Sequence, residues 1–289
     1  MSGAAWPAPA KLNLFLHVVG RRPDGYHDIQ TVFQLIDLCD SLVFEPRPDP
    51  TIRRLEGPAD LPDPDDLCLL AARRLQQAAG LHLGVDIRLY KRIPVRGGLG
   101  GGSSDAATTL VALNEIWGLG LEVAELAHLG RDLGADVPLF VHGHSAWGEG
   151  VGDLLTSIDL PRRHFAIIHP GVGVGTAEVF QAIELTRNSP RTTIRGFLKA
   201  SGRNDCEPVV SGRNPEVARA LAWLAARGNA RLTGTGSCVF AGFDARDAAE
   251  AALADLPAGW NGFVARGLDR SPLQERLAAE RSAHNGGKD

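Results

Sequence analysis

The sequence predicts an α+β fold in two parts, and three observations carry that expectation. Strand-like and helix-like stretches follow one another without regular βαβ alternation, and several strands come in pairs joined by short turns, as in antiparallel sheets. The chain has 289 residues, 44% hydrophobic and 22% charged, enough for one large or two ordinary domains with a sizeable core. A break near residue 157 divides it into 1–156 and 157–289. The third observation is the run Pro-Val-Arg-Gly-Gly-Leu-Gly-Gly-Gly-Ser-Ser-Asp-Ala-Ala at 94–107, glycine-rich and set between an apolar strand and a helix.

Taken in order, residues 10–20 alternate in their first half, with Lys11, Asn13 and Phe15 on one strand face and Leu12, Leu14 and Leu16 on the other. On spacing alone, an exposed charge on an ordinary strand is the simpler reading of Lys11. Pro23-Asp24-Gly25 is a turn that hands Tyr26 and His27 to a second strand over 29–38. An aromatic ring and an imidazole beside a turn suit a planar ligand, and equally suit the edge of a core. Residues 45–66 are proline-rich and polar and read as a surface excursion with a short strand at 51–55. Residues 66–79 form a helix with Leu67, Leu70, Ala71, Leu75 and Ala78 on one side, and 85–93 form a strand that delivers Lys91 to the glycine loop.

Glycine costs backbone entropy, so Gly97, Gly98, Gly100, Gly101 and Gly102 are expected where the chain needs positive φ or close backbone approach. A helix starting at Ser103 or Ser104 turns its free N–H groups and positive dipole end towards the loop, which makes the pair an anion site, with phosphate the natural occupant. That helix runs to Trp117, and another spans 121–133. Asp136 then stands in an apolar run before Pro138, which is expected to stop a helix. A carboxylate in such surroundings needs a partner, unless it caps a helix or turn. The spacing of His142 and His144 fits a strand pair better than a metal site.

In the second half a strand at 165–169 leads into a glycine-spaced loop and a helix with Val179 and Phe180. Residues 187–193 are a polar connection, 215–228 an amphipathic helix, 230–241 a strand–turn–strand, 245–255 a helix and 262–268 a last strand. Residues 278–289 are expected to fray.

A net charge of −4 gives no electrostatic case for nucleic acid or an anionic membrane as partner. The start of the chain lacks a signal-peptide pattern, and Cys39, Cys68, Cys206 and Cys238 lack metal-site or disulfide spacing, so a cytoplasmic protein is expected. The glycine loop fails the Walker pattern because Ser103 follows Gly102 where lysine is required, and it also misses the dinucleotide and protein-kinase patterns.

The residues that remain resemble a family. The loop is similar to the second motif of the GHMP kinases, small-molecule kinases with a non-Walker phosphate loop. Pro9-Ala-Lys-Leu-Asn-Leu-Phe-Leu, Pro23-Asp-Gly-Tyr-His, Gly134-Ala-Asp-Val-Pro, His169-Pro-Gly and Leu232-Thr-Gly-Thr-Gly-Ser-Cys extend the match from about residue 6 to residue 273. They point to the branch whose acceptor is a cytidine diphosphate-linked polyol.

The resemblance implies an N-terminal ATP-binding domain, a smaller C-terminal α/β sandwich-type domain and an active site in the cleft between them. It implies that Asp136 takes the acceptor's proton and that Lys11 partners Asp136 and the transferring phosphoryl group. Asn13 would position the polyol, and Tyr26, His27 and Phe180 would hold the cytosine. Lys91, Pro94, Gly97, Gly98, Leu99, Gly100, Gly101, Gly102, Ser103 and Ser104 would serve ATP. Magnesium is expected with the nucleotide, without a dedicated protein cage, and the enzyme is expected as a monomer or weak homodimer. Asp66 and Asp105 depart from asparagines in relatives and add negative charge on the ATP side. Competing readings are a GHMP kinase for homoserine, mevalonate or a sugar, and a non-catalytic binding protein on the same scaffold.

Overall fold

A computed structural model describes residues 4–59, 61–200 and 202–286. The first half contains β1 (Trp6–Arg21), β2 (His27–Arg47), β3 (Ile52–Glu56), a 3-10 turn (Asp63–Asp65), α1 (Leu67–Ala78), β4 (Gly84–Tyr90), α2 (Gly101–Ile116), α3 (Val123–Arg131), α4 (Val137–His142), β5 (Ala146–Glu149) and β6 (Leu154–Ser157). The second contains β7 (His164–His169), α5 (Thr176–Gln181), α6 (Ile194–Ala200), α7 (Glu207–Arg213), α8 (Pro215–Ala225), β8 (Arg231–Leu232), β9 (Val239–Phe243), α9 (Arg246–Ala251), β10 (Asn261–Leu268) and α10 (Pro272–Gly286).

The α+β expectation holds, since β3–β4 is parallel and the other paired strands are antiparallel. The strands join in one sheet whose main path runs β3-β4-β2-β10-β7-β9-β8. Its axis is β2, 21 residues long. One edge of β2 is taken by β1 as far as Leu42, and the other is shared by β5 at Thr31–Phe33, β10 at Leu35 and Ile36, and β4 from Ser41 to Arg47.

The expected strand ended at residue 38, because the prolines after Glu45 read as an excursion. The structure corrects this. Pro46 sits beyond the end of the β1 pairing, where among the described residues that edge has no strand partner and a missing N–H costs no ladder bond.

A second correction concerns β1. A bulge between Asn13 and Phe15 shifts the register, so strict alternation ends at Leu14. The shift exchanges the two faces beyond it. Leu16, not Phe15, shares the cavity wall with Lys11 and Asn13, while Phe15 packs against Phe197 and Trp147.

Three further expectations are revised. Pro138 does not stop a helix but lies in the first turn of α4, where its missing N–H has no intrahelical acceptor to lose. The last helix α10 extends to Gly286 instead of fraying at 278, and Arg276 on it lies 4.5 Å over the ring of Trp6. Residues 287–289 of the expected frayed tail lie outside the described residues. The third revision, the start of α2, belongs to the site.

Two large apolar clusters fill the halves. One packs α1, α2 and α4 on the sheet around Leu69, Leu75, Leu110 and Phe140, and it includes Leu273 of α10. The other packs α7 and α8 on β7–β9 around Ile168, Val210, Leu224 and Leu232. A third joins Leu12, Ile36 and Leu99 to Ile167 and Phe240, so apolar packing links the two halves beneath the glycine loop.

Candidate active site

The glycine loop is built where β1 meets the 232–238 turn. The Lys11 amide donates to Leu99 O at 3.0 Å, the Cys238 amide to Gly97 O at 3.0 Å, and the Ser237 amide to Arg96 O at 3.3 Å. Two glycines explain the composition. At Gly98, φ is +75° and a Cβ would lie 2.2 Å from Thr233 O. At Gly100, φ is +73° and a Cβ would lie 2.9 Å from the Phe140 ring and 3.1 Å from Lys11 Cε. No L side chain fits either place.

The left-handed turn at Gly100 starts α2 at Gly101, two residues before the earlier of the two expected starts. Gly101, Gly102 and Ser103 therefore supply the first-turn N–H groups, which have no intrahelical acceptor and face an anion with the helix dipole behind them. The Oγ of Ser104 is buried without a hydrogen-bond partner among the described residues.

A cavity of about 1140 Å³ opens over this loop. Its wall carries Lys11, Asn13, Lys91, Pro94, the glycine loop, Ser103, Asp136 and Phe180. Of the predicted site residues, Tyr26, His27 and Ser104 are not on that wall. Tyr26 is 65% exposed, and its amide donates to Asp24 Oδ1 in the turn. His27 is buried and stacks on Phe180, with ring centroids 5.3 Å apart.

The chemical centre is an ion pair. Lys11 Nζ lies 3.3 Å from Asp136 Oδ2, with the lysine side chain 5% and the aspartate 28% exposed. Asp136 occupies the N-cap position of α4 yet makes no side-chain capping bond, so its carboxylate remains free to face the lysine. The exposed-charge reading of Lys11 does not hold. Its ammonium also donates to Asn13 Oδ1 at 2.5 Å and lies 5.5 Å over the Phe33 ring. Asn13 Nδ2 in turn donates to Thr31 Oγ1 at 2.8 Å, which fixes the amide with its oxygen towards the lysine.

Lys91 is less free than expected. Its ammonium is bound by Asp40 and, at 2.7 Å, by Asp105 Oδ2. Burial works against its charge, but Asp105 and Asp40 outweigh burial and hold its pKa above the ordinary lysine value. Burial pushes the Asp105 carboxyl up to about 7 against the pull of Lys91, and the charge of Asp40 adds to the push.

Asp66 is neutralised differently. It caps α1 by accepting from the Cys68 and Leu69 amides, and it pairs with Arg54 at 2.8 Å. The two departures from asparagine thus bring their own cationic partners. Among the described residues no cluster of three or more His, Cys, Asp or Glu side chains forms a metal cage.

Sequence reasoning assigned no site role to Thr176, Thr235 or Arg96. Thr176 and Thr235 are hydrogen-bonded across the second half at 3.1 Å and line the cavity. Arg96 also lines it, with φ at +54°, a conformation an arginine rarely adopts. Its place between two predicted loop residues was the available signal.

A glycine cradle, a helix start and a buried lysine paired with a half-buried aspartate in a cleft between two halves define a small-molecule phosphotransferase. Family models agree: GHMP kinases N terminal domain matches residues 66–144 and GHMP kinases C terminal matches 182–262. The chain belongs to the GHMP kinase family, and its curated relatives place it among the 4-diphosphocytidyl-2-C-methyl-D-erythritol kinases. The protein of that name from Alkalilimnicola ehrlichii is 55% identical over 96% of each chain. Its counterpart from Nitrosococcus oceani is 53% identical over 94% of this chain and 97% of the other. A crystal structure of 4-(cytidine 5'-diphospho)-2C-methyl-D-erythritol kinase superposes with a TM-score of 0.80 at 33% identity, covering 91% of this chain and 99% of that one. Methanococcus jannaschii mevalonate kinase, at 18% identity and a TM-score of 0.68, shares the fold.

Proposed function

We propose that this chain transfers the γ-phosphoryl group of ATP to the 2-hydroxyl of 4-diphosphocytidyl-2-C-methyl-D-erythritol, a step of the non-mevalonate isoprenoid pathway. The observation that carries the chemistry is the Lys11–Asp136 pair, set on the wall of the same cavity as the glycine loop. Asp136 accepts the hydroxyl proton as the acceptor oxygen forms its bond to the γ-phosphorus and the bond to the β-phosphate oxygen breaks. Lys11 stabilises the charge spread over the transferring group, and Asn13, held by Thr31, orients the polyol.

The N–H groups of Gly101, Gly102 and Ser103 take the donor's phosphates, and Lys91, held between Asp40 and Asp105, lines the same cavity with its ammonium committed to the two carboxylates. Asp105, whose Oδ1 has no hydrogen-bond partner among the described residues, is the carboxylate of the cluster at the start of α2 that lines the cavity, and a single such group fits a hydrated magnesium–nucleotide complex better than a protein-caged ion. Magnesium bound with the nucleotide neutralises phosphate charge. We assign the cytosine to Tyr26, His27 and Phe180. Residues 1–156 are the nucleotide-binding unit and 157–289 the unit that closes the cleft. Cytoplasmic location and a monomer or weak homodimer complete the proposal.

ADP release measured with the cytidyl acceptor, mevalonate and homoserine in parallel tests the assignment. Turnover is expected with the first alone, and turnover on mevalonate without the cytidyl compound sinks it. Phosphorus NMR of the product locates the new phosphate.

A further inference from the structure

Arg187 lies outside every motif of the family resemblance, in the polar connection after α5, yet it spends four hydrogen bonds around Phe180, which lines the cavity, and His27, which stacks on it from behind that wall. Its Nε donates to His27 Nε2 at 3.0 Å. Nη1 donates to Leu185 O at 3.1 Å, and Nη2 to Phe180 O at 3.1 Å and Ala182 O at 2.7 Å. One planar guanidinium therefore ties the segment that carries the Phe180 wall to the imidazole stacked on that ring.

The chemistry of the pair is one-sided. A guanidinium has donors only and stays protonated, so the nitrogen that receives its N–H must hold a lone pair. His27 is therefore a neutral imidazole whose single proton sits on Nδ1. The surroundings agree. Burial lowers the pKa of His27, and Arg187 and Arg21, the two charged groups acting on it, lower it further. Nδ1 has no hydrogen-bond partner among the described residues, and it is not among the buried unpaired atoms.

We infer that Arg187 is a positioning residue for the acceptor's base: it fixes His27 as an Nδ1–H donor and pins the Phe180 segment beside it. This rests on the proposed cytidyl acceptor. The ring N3 of cytosine is an acceptor that matches such a donor, whereas uracil presents an N–H at position 3; O2 accepts in both bases and does not separate them. The pair thereby favours a cytidyl over a uridyl acceptor, because a site built to donate leaves its proton unpaired against a second donor.

Nitrogen-15 NMR of histidine-labelled full-length protein, without substrate and with His27→Gln for assignment, reads the tautomer directly. The parent is expected to show His27 protonated at Nδ1 alone, and Arg187→Met a mixture with the Nε2–H form. Kinetically, Arg187→Met should raise KM for the cytidyl acceptor roughly tenfold, with KM for ATP unchanged and kcat falling less than KM rises. Arg187→Lys keeps one donor and should restore the tautomer more fully than KM, because an ammonium cannot span the three carbonyls. It carries the same readouts if the methionine variant does not fold. An Nε2–H tautomer in the parent, or an unchanged acceptor KM in Arg187→Met, overturns the inference. The substrate-free spectrum separates this failure from that of the acceptor assignment, which turnover on another acceptor would overturn while the tautomer stood.

Discussion

Lys11 and Asp136 come from sequence positions 125 apart, and their 3.3 Å approach exists because β1 and the first turn of α4 meet beside the glycine loop. Asp136→Asn keeps the shape of the side chain and removes the base. Turnover is expected to fall by about 10²–10⁴, while binding of a cytidine nucleotide, followed by calorimetry, survives. Full activity in this variant removes Asp136 from the base role. Lys11→Met should cost turnover by orders of magnitude, and a loss confined to KM would make Lys11 a positioning residue. Asp105 makes a different prediction. Burial raises it to about 7 from the ordinary carboxyl value of 3.8, so between these values the folded chain holds a proton that the unfolded chain has released. Its contribution to stability is full below the unfolded value and is lost as pH rises through 7. Asp105→Asn does not titrate, so its melting temperature relative to the parent should climb from pH 4 to pH 8. Parallel melting curves would refute this.

At the scale of elements, the glycine loop depends on backbone conformations that only glycine adopts without strain. Gly100→Ala places a methyl group 2.9 Å from the Phe140 ring in a left-handed turn that costs about 1–2 kcal/mol for an L residue. Loss of ATP affinity with a lowered melting temperature is expected, and an alanine variant with unchanged nucleotide binding would show that the turn can relax. The sequence announced these elements unevenly. Residues 94–107, α1, α2, α8 and the strand–turn–strand around 232–239 were legible, because glycine clusters, 3.6-residue periodicity and small-residue turns act locally. The bulge in β1, the full length of β2 and the run of α10 to Gly286 were not, because each is decided by partners elsewhere. Lys91 illustrates the same limit within the site. Its position at the loop mouth follows from the strand before it, but its capture by Asp40 depends on β2 running past residue 38.

For the whole molecule, contacts remote in sequence decide the outcome. The Asn13 amide donates to Thr233 Oγ1 across 220 positions, and the loop at 97–98 is tied to Cys238 and Thr233. Such pairings leave no periodic trace, which is why family motifs indicated the site while spacing alone left Lys11 and Asp136 open. They also couple the halves. Leu273, fully buried, belongs to the core of the first half although it lies near the other end of the chain. Leu273→Ala is expected to cost about 2–5 kcal/mol and to lower the urea midpoint of one shared unfolding transition. A second, unshifted transition would mean that the halves unfold separately.

The place of β10 between β2 and β7 has a consequence for how the protein is made. During synthesis both neighbours leave the ribosome long before Asn261–Leu268 does, and each must wait with an open apolar edge at Leu35 and Ile36 or along Phe165–Ile168. The sheet of the first half therefore cannot be completed until the last strand has been made, and chaperone demand should peak in that interval.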